Sequence, residues 1–347
     1  MWQNWYGSKI IKAIEVWMEH GFVAALYTHF IIMLAFWWLL ILLLVIASTA
    51  VLTLHERKVI ADIQTRRGPA KVGYFGILQP IADAFKLLLK EYIVPFRSEG
   101  KMYISIAVVS FIMAALFWNL PAISLYNVAL LTETTILYSF LFSIIHVFTI
   151  LFAGWSSNSR YSFLGAIRAS AQLIAYDIVI ILIYVHLFFF GKELSYEAFV
   201  ELQHHIKIMT FFFMPLQTIL FFIGLVCETS RHPFDFPEAE SELVSGYNVE
   251  YSGIRFALFF LGEYATVIYS ALLVTIMFFT GSMIADGRIV ELIEWVLKAY
   301  IFIWFVIHAR ALLPRYRYDQ LMETCWKVMI PLQCLSLGWT ILIVYYF

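Results

Sequence analysis

Apolar runs of membrane-crossing length recur along this chain, and that feature decides its solvent before anything else is read. Residues 30–54 carry no charge at all. A bilayer core of about 30 Å needs roughly 20 apolar residues in helical form. Only helices and closed barrels cross it without stranding backbone polar groups in lipid, and these runs lack the alternation of barrel strands. Composition agrees: of 347 residues 62% are hydrophobic and 14% charged, where a soluble domain carries about 25% charged. The pattern predicts an all-α integral membrane protein with eight transmembrane helices, at 30–54, 102–121, 134–153, 171–190, 208–227, 256–280, 294–309 and 328–347. The seventh is short and holds Lys298, so a tilted or re-entrant segment is the alternative there.

Two regions follow, an extension at 1–29 and an eight-helix membrane domain at 30–347. In the extension Ile10, Ile11, Ile14, Trp17 and Met18 fall at helical spacing, with Lys9, Lys12, Glu15 and Glu19 elsewhere. That predicts an amphipathic surface helix rather than a ninth span. It has two Glu and no Arg, unlike a transit peptide. The loops 55–100, 154–170, 228–255 and 310–327 hold sixteen of the 23 Lys and Arg, so they face the cytoplasm or the mitochondrial matrix. The net charge of −1 hides this asymmetry, and no nucleic-acid partner is expected. Phe (32) and Tyr (20) are abundant in a manner that suits an AT-rich organellar genome. The expected location is the mitochondrial inner membrane, with a bacterial plasma membrane as the alternative.

Cys227, Cys325 and Cys334 are widely spaced in apolar surroundings, with no CxxC or His–Cys cluster. Neither a metal site nor an iron–sulfur cluster is expected in this chain. No GxGxxG follows a strand, so no nucleotide site is expected either.

The basic-side loops carry the chemistry. The first opens with Glu56-Arg57-Lys58, then Arg66-Arg67-Gly68-Pro69; Gly-Pro forces a turn. From Gly76 to Pro95, Leu78, Ile81, Phe85, Leu88 and Leu89 form one helical stripe, with Gln79, Asp83, Lys86 and Lys90 on other faces. That predicts an interfacial helix ending at Pro95, either a membrane-surface brace or the wall of an entrance for a lipid-soluble substrate. Past the second loop Asp177 falls inside the fourth span, where a carboxylate is expensive and therefore a functional candidate. The plain alternative makes it a partner for Arg168 or another interior cation.

The third loop is the most acidic. Glu228, Asp235, Glu238, Glu240, Glu242, Glu250 and Glu263 lie within 36 positions. Asp235 and Pro237 suit the start of a short helix, whose dipole alone would favour acids. Against that, Glu238 and Glu242 would repel on one face, and Glu228 and Glu263 sit at the ends of apolar spans. Crowded carboxylates raise one another's proton affinity, so the loop reads as a proton-exchanging site. His232 reads as a surface histidine, with added titratable capacity beside the acids as the alternative. In the fourth loop Arg310, Arg315 and Arg317 can balance these acids or contact a partner, while a positive-inside anchor explains part of the charge.

Seven strings carry a family resemblance: ERK at 56–58, RRGP at 66–69, YFGILQPIADAFKLLLKE at 74–91, AGWSSNSRYSFLGAIRASAQLIAYD at 153–177, ETSRHPFDFPEAESELVSGYNVEY at 228–251, FALFFLGEY at 256–264 and PRYRYDQLM at 314–322. From about residue 30 onward the chain resembles the subunit 1 family of NADH–ubiquinone oxidoreductase, respiratory complex I. The resemblance implies an eight-helix membrane subunit of a proton-pumping enzyme, without a complete active site of its own. Its substrate is ubiquinone, with FMN and iron–sulfur clusters held only in partner subunits. The partners implied are hydrophilic quinone-module subunits and antiporter-like membrane subunits, besides membrane lipids. A quinone tunnel is implied at Glu56, Arg57, Arg66 and Asp83, with Arg310, Arg315 and Arg317 nearby. A proton-coupling path is implied through Asp177, Glu228, Glu238, Glu240, Glu242, Glu250 and Glu263. Asp177 stands where the family usually has Glu, Ser230 where Asn is usual, and His232 where a small residue is common.

Two rival readings remain. An acid-lined transporter or channel would also place acids in spans four and six, but no inverted repeat joins the two halves. A membrane anchor of a soluble dehydrogenase needs the basic loops without Asp177 or Glu263, and within the resembled family a hydrogenase-type complex uses a similar subunit without quinone.

Overall fold

The computed structural model describes residues 23–91, 93–126, 134–206, 209–235, 246–280 and 288–346. The expected helix at 1–29 falls almost wholly outside them, as do Glu238, Glu240 and Glu242. Among the described residues the protein is all-helical, with no strand. Twelve α-helices are labelled in order: α1 (Val23–Ile63), α2 (Gln79–Leu89), α3 (Gly100–Tyr126), α4 (Thr135–Ser157), α5 (Arg160–Gly191), α6 (Tyr196–Ile206), α7 (Thr210–Phe213), α8 (Pro215–Glu228), α9 (Ile254–Phe278), α10 (Arg288–Leu312), α11 (Tyr318–Glu323) and α12 (Ile330–Tyr346). Between α11 and α12, residues Thr324–Met329 wind as a π-helix, so the three run on as one rod.

Among the described residues seven helical stretches are long and apolar enough to cross a membrane: Phe36–Ile63, Gly100–Trp118, Thr135–Ser157, Arg160–Gly191, Ile254–Phe278, Ile293–Leu312 and Tyr318–Leu342. The weak seventh span of the sequence reading is one of them, an unbroken helix. The run read as a fifth span, 208–227, is divided instead. Met214 leaves helical geometry (φ −133°, ψ 59°) just before Pro215, as a residue preceding proline tends to do. The 14 residues of α8 reach only about 21 Å.

Several helices also outrun their expected ends. The first passes beyond residue 54 to Ile63, so Glu56 and Arg57 are helical rather than the start of a loop. Loop 154–170 shrinks to a sharp reversal at Asn158, in the left-handed region (φ 51°), and Ser159, whose side chain caps α5. The charged stretch His55-Glu56-Arg57-Lys58 hid the continuation of α1 from a hydropathy window, and hydroxyl residues are carried within the spans at little cost. Their hydroxyls return to the backbone one turn earlier, as Thr49, Ser110, Ser139, Thr149 and Ser270 do, which satisfies them away from water.

The chain divides into two compact units, Met1–Val45 and Ile46–Phe347. In the first, Phe36, Leu39, Leu43 and Leu44 are exposed, a surface suited to lipid. The second holds the core: Tyr176, Val179, Ile183, Phe221, Val274 and Phe278 form its largest cluster, built mainly on α5, α8 and α9. Close approach is made by glycine. A Cβ on Gly154 would collide with that of Ala166, and one on Gly165 would stand 2.8 Å from the backbone of Gly246. That second contact presses the 3₁₀ turn Gly246–Asn248 against α5, where Ser162 Oγ also donates to the Tyr247 carbonyl at 3.0 Å.

Candidate functional site

Two buried polar groups stand out in the second unit. The first is centred on Glu56, which α1 points into the protein while Arg57, about 100° further round the helix, points out. Glu56 is 4% exposed. Arg231 Nη1 donates to both of its carboxylate oxygens, at 3.0 and 3.2 Å, and Arg310 Nη1 donates to Oε1. The Tyr264 hydroxyl adds a hydrogen bond, and its ring centroid lies 4.0 Å from the Arg231 guanidinium. One turn-mate of Tyr264 on α9 is Glu263, whose Oε1 accepts from Tyr247 Oη at 2.6 Å. Burial is the largest influence and opposes the charge on Arg231, but Glu56, Tyr264 and Glu263 together outweigh it and raise the guanidinium pKa above its ordinary value. This cation stays charged at any working pH.

The second group surrounds Asp177 on α5 and Glu228 at the end of α8. Both line a void of about 10 Å³ with Ser139, Ser143, Tyr184 and Tyr269, room for about one water molecule. Ser143 Oγ donates to Asp177 Oδ1 at 2.6 Å. The plain alternative for Asp177, a pairing with Arg168, does not describe this contact. Arg168 stands more than two turns away along α5, its guanidinium 6.0 Å from the Tyr318 ring. Only Thr229 and Ser230 separate Glu228 from Arg231 in the chain, so the two groups share a short covalent link.

Nearer the surface, Arg57 Nη1 meets Asp83 Oδ2 at 2.7 Å, and Gln79 Nε2 donates to Asp83 Oδ1 at 3.0 Å. The first of these bonds joins α1 to α2, whose stripe Ile81, Phe85, Leu88 and Leu89 stays exposed. The helix stops at Leu89, short of the expected Pro95, because Lys90 turns to extended geometry (ψ 129°). Beside it opens a cleft of about 570 Å³ lined by Arg57, Arg66, Arg67, Lys71 and Gln79.

The candidate residues therefore sort differently from the two sets read in the sequence. Glu56 and Arg310, expected along a tunnel with Arg57, belong with Glu263 in a buried charge cluster. Arg57, Arg66 and Asp83 stay together at the cleft. Arg315 pairs with Asp235 (3.2 Å), and Arg317 begins α11 with its backbone N–H donating to Gln320 Oε1. Glu250 is held through its backbone, the carbonyl accepting from Tyr103 Oη. His232 is only partly exposed, with Nδ1 buried and unpartnered; burial first, then Arg315, lowers its pKa. Arg231 escaped the sequence reading altogether. Its signal was present, a lone arginine amid the acids of 228–242, but nothing local said which acid it would serve. Among the described residues no group of three His, Cys, Asp or Glu could hold a metal ion.

Comparison with known proteins bears on this arrangement. A family model described as NADH dehydrogenase matches residues 36–341. An NADH-quinone oxidoreductase subunit of Wolbachia pipientis wMel is 45% identical over 314 residues, covering 85% of this chain and 91% of the relative. The protein of the same name from Ehrlichia ruminantium (strain Gardel) is 43% identical over 317 residues, covering 85% and 84%. That from Rickettsia canadensis (strain McKiel) is 41% identical over 327 residues, covering 91% and 94%. With buried charge clusters set among membrane-length helices and a match running nearly end to end, the chain belongs to the NADH dehydrogenase family of complex I membrane subunits.

Proposed function

We propose that this chain admits a quinone to its complex and passes the charge of quinone reduction into the membrane as proton movement. A quinone has a polar head and a long apolar tail. The exposed stripe of α2 beside a cleft lined by Arg57, Arg66 and Gln79 supports an entrance for such a substrate, with Asp83 fixing α2; Arg315 and Arg317 belong to the same reading through the family resemblance. Partner hydrophilic subunits hold the FMN and iron–sulfur clusters in this reading, and antiporter-like subunits continue the membrane arm. The division 1–29 and 30–347, α8 as an eighth and shortened span, and the mitochondrial inner membrane belong to the same reading, the bacterial relatives making a plasma membrane its alternative.

One observation carries the coupling role: Asp177 and Glu228 share a cavity inside the helical bundle. Ionised together in a medium of low dielectric they would repel strongly, so the pair favours holding a proton. The neighbouring Glu56–Arg231–Arg310 cluster and Glu263 supply fixed charge against which that proton can be exchanged. Negative charge arriving with quinone reduction would raise the proton affinity of these acids, and its neutralisation would release it. Glu238, Glu240, Glu242 and Glu250 complete the proposed path. The test uses Asp177→Asn and Glu228→Gln in the assembled complex in sealed vesicles. Proton translocation is expected to fall severalfold in each. Translocation at the unsubstituted rate in both would remove the coupling role.

A further inference from the structure

The Asp177–Glu228 cavity does not end at its carboxylates. Hydroxyls continue away from them, toward the membrane face opposite the basic loops. On α4, Thr135, Ser139 and Ser143 recur every fourth residue and so share one face. They cover about 12 Å of helix from Asp177's partner Ser143 back to the first turn. Tyr184 on α5 and Tyr269 on α9 line the same cavity. The Tyr196 and Tyr269 hydroxyls are 3.4 Å apart, and Tyr196 also hydrogen-bonds Ser139 and Tyr184. Tyr196 stands at the start of α6, its backbone N–H donating to Thr135 Oγ1 at 2.9 Å.

Packing does not require these oxygens. The surrounding cluster contains Phe117, Phe221 and Phe278, and a phenylalanine at each tyrosine position would fill the same space. A buried hydroxyl is costly unless it is bonded; Ser143 donates to Asp177, Tyr196 and Tyr269 bond each other, and the Ser139 hydroxyl, which also meets Tyr196, donates at rest to the Ile136 carbonyl at 2.7 Å and turns from it to pass a proton. Solvent-facing acids lie next to Tyr196 in the chain: Glu193 and Glu201 are exposed, and Glu197 is partly so.

We propose that Ser143, Ser139, Tyr184, Tyr269 and Tyr196 form a hydroxyl relay that carries protons between the Asp177–Glu228 pair and the membrane face bearing Glu193 and Glu197. In each hop an oxygen accepts a proton as it passes its own to the next. Every hydroxyl ends neutral, and the net change is one proton moved along the column. One water in the cavity bridges the carboxylates to the first hydroxyls. The relay rests on the coupling role proposed for those carboxylates and supplies the outlet that role leaves open.

The test measures proton translocation per assembled complex in sealed vesicles, in H2O and D2O. The variants are Tyr196→Phe and Tyr269→Phe, with Tyr251→Phe as control; the Tyr251 hydroxyl bonds Ser156 and Ala153, outside the column. Translocation is expected to fall at least about twofold in the first two relative to the control, as for a gap in an intramembrane proton relay. The solvent isotope effect is expected to rise, since the hop across the gap becomes limiting; a loss of packing alone would not raise it. Rates and isotope effects equal to the control would overturn the relay. Asp177→Asn, run in parallel, separates the two ideas. If it abolishes translocation while both tyrosine variants match the control, the carboxylate role survives and the relay falls. If it translocates normally while the tyrosine variants fail, the hydroxyl path stands without the carboxylates. Should Tyr196→Phe not assemble, Tyr269→Phe and Tyr184→Phe decide by the same comparison.

Discussion

At the scale of single residues, Glu56 illustrates what sequence reading reaches and what it misses. Its place beside Arg57 and Lys58 made it a loop residue by pattern; in the protein it is a buried anion held by two arginines from distant segments. A buried pair is weakly stabilising as a whole, yet removing one partner strands the other charge. Arg231→Gln is therefore expected to cost about 3 kcal/mol, with Arg310 still offsetting part of the Glu56 charge. Adding Glu56→Gln to that variant should recover some of the loss. The thermal midpoints of the two single variants and the double variant form the cycle that checks this; additive effects would show that Arg231 and Glu56 do not interact. The titratable residues were legible because acids are rare in apolar runs. Their pairing was not, since Arg231 meets Glu56 across 175 positions and no local spacing encodes that.

Among elements, α2 is the most separable. Its apolar stripe was readable from spacing, and its true end was not, because Lys90 leaves helical geometry with neither glycine nor proline beside it. The Arg57–Asp83 pair tying it to α1 is substantially exposed, so it contributes at most about 1 kcal/mol. Asp83→Asn should leave assembly and stability unchanged within that margin. If α2 walls the quinone entrance, the same change should raise KM severalfold for a long-tailed quinone and leave a short-tailed analogue unaffected. Steady-state kinetics with the two substrates decides it; equal shifts for both would make α2 a brace only. The run 208–227 taught a related lesson. Hydropathy does not register that Pro215 divides it, because proline there alters backbone geometry and not apolarity.

For the molecule as a whole, the charge asymmetry of the loops predicts an orientation, which the two ends of α5 allow to be tested. Arg160 opens α5 at the basic side, and Lys192 follows its other end. Both are exposed. With Cys334, the exposed cysteine among the three, replaced by serine, Arg160→Cys and Lys192→Cys should react with a membrane-impermeant maleimide from opposite sides. Labelling of both from one side would refute the crossing of α5. The alternation of long apolar runs was enough to predict an all-helical membrane protein, because span length is a property of each segment alone. The carboxylate cavity was not predictable in that way, since α4, α5, α8 and α9 each contribute only part of its wall.

The contact between Gly165 and the Gly246 backbone has a bearing on how natural variants of such a chain are judged. Gly165→Ala changes neither charge nor length and slightly favours the helix, so hydropathy profiles and substitution tables alike would pass it as benign. The added methyl would nonetheless meet the turn that carries Tyr247, and the Tyr247 hydroxyl is what orients Glu263. If Glu263 serves the proposed proton path, a lesion of that path can be inherited as one of the mildest substitutions there is, at a position that never titrates.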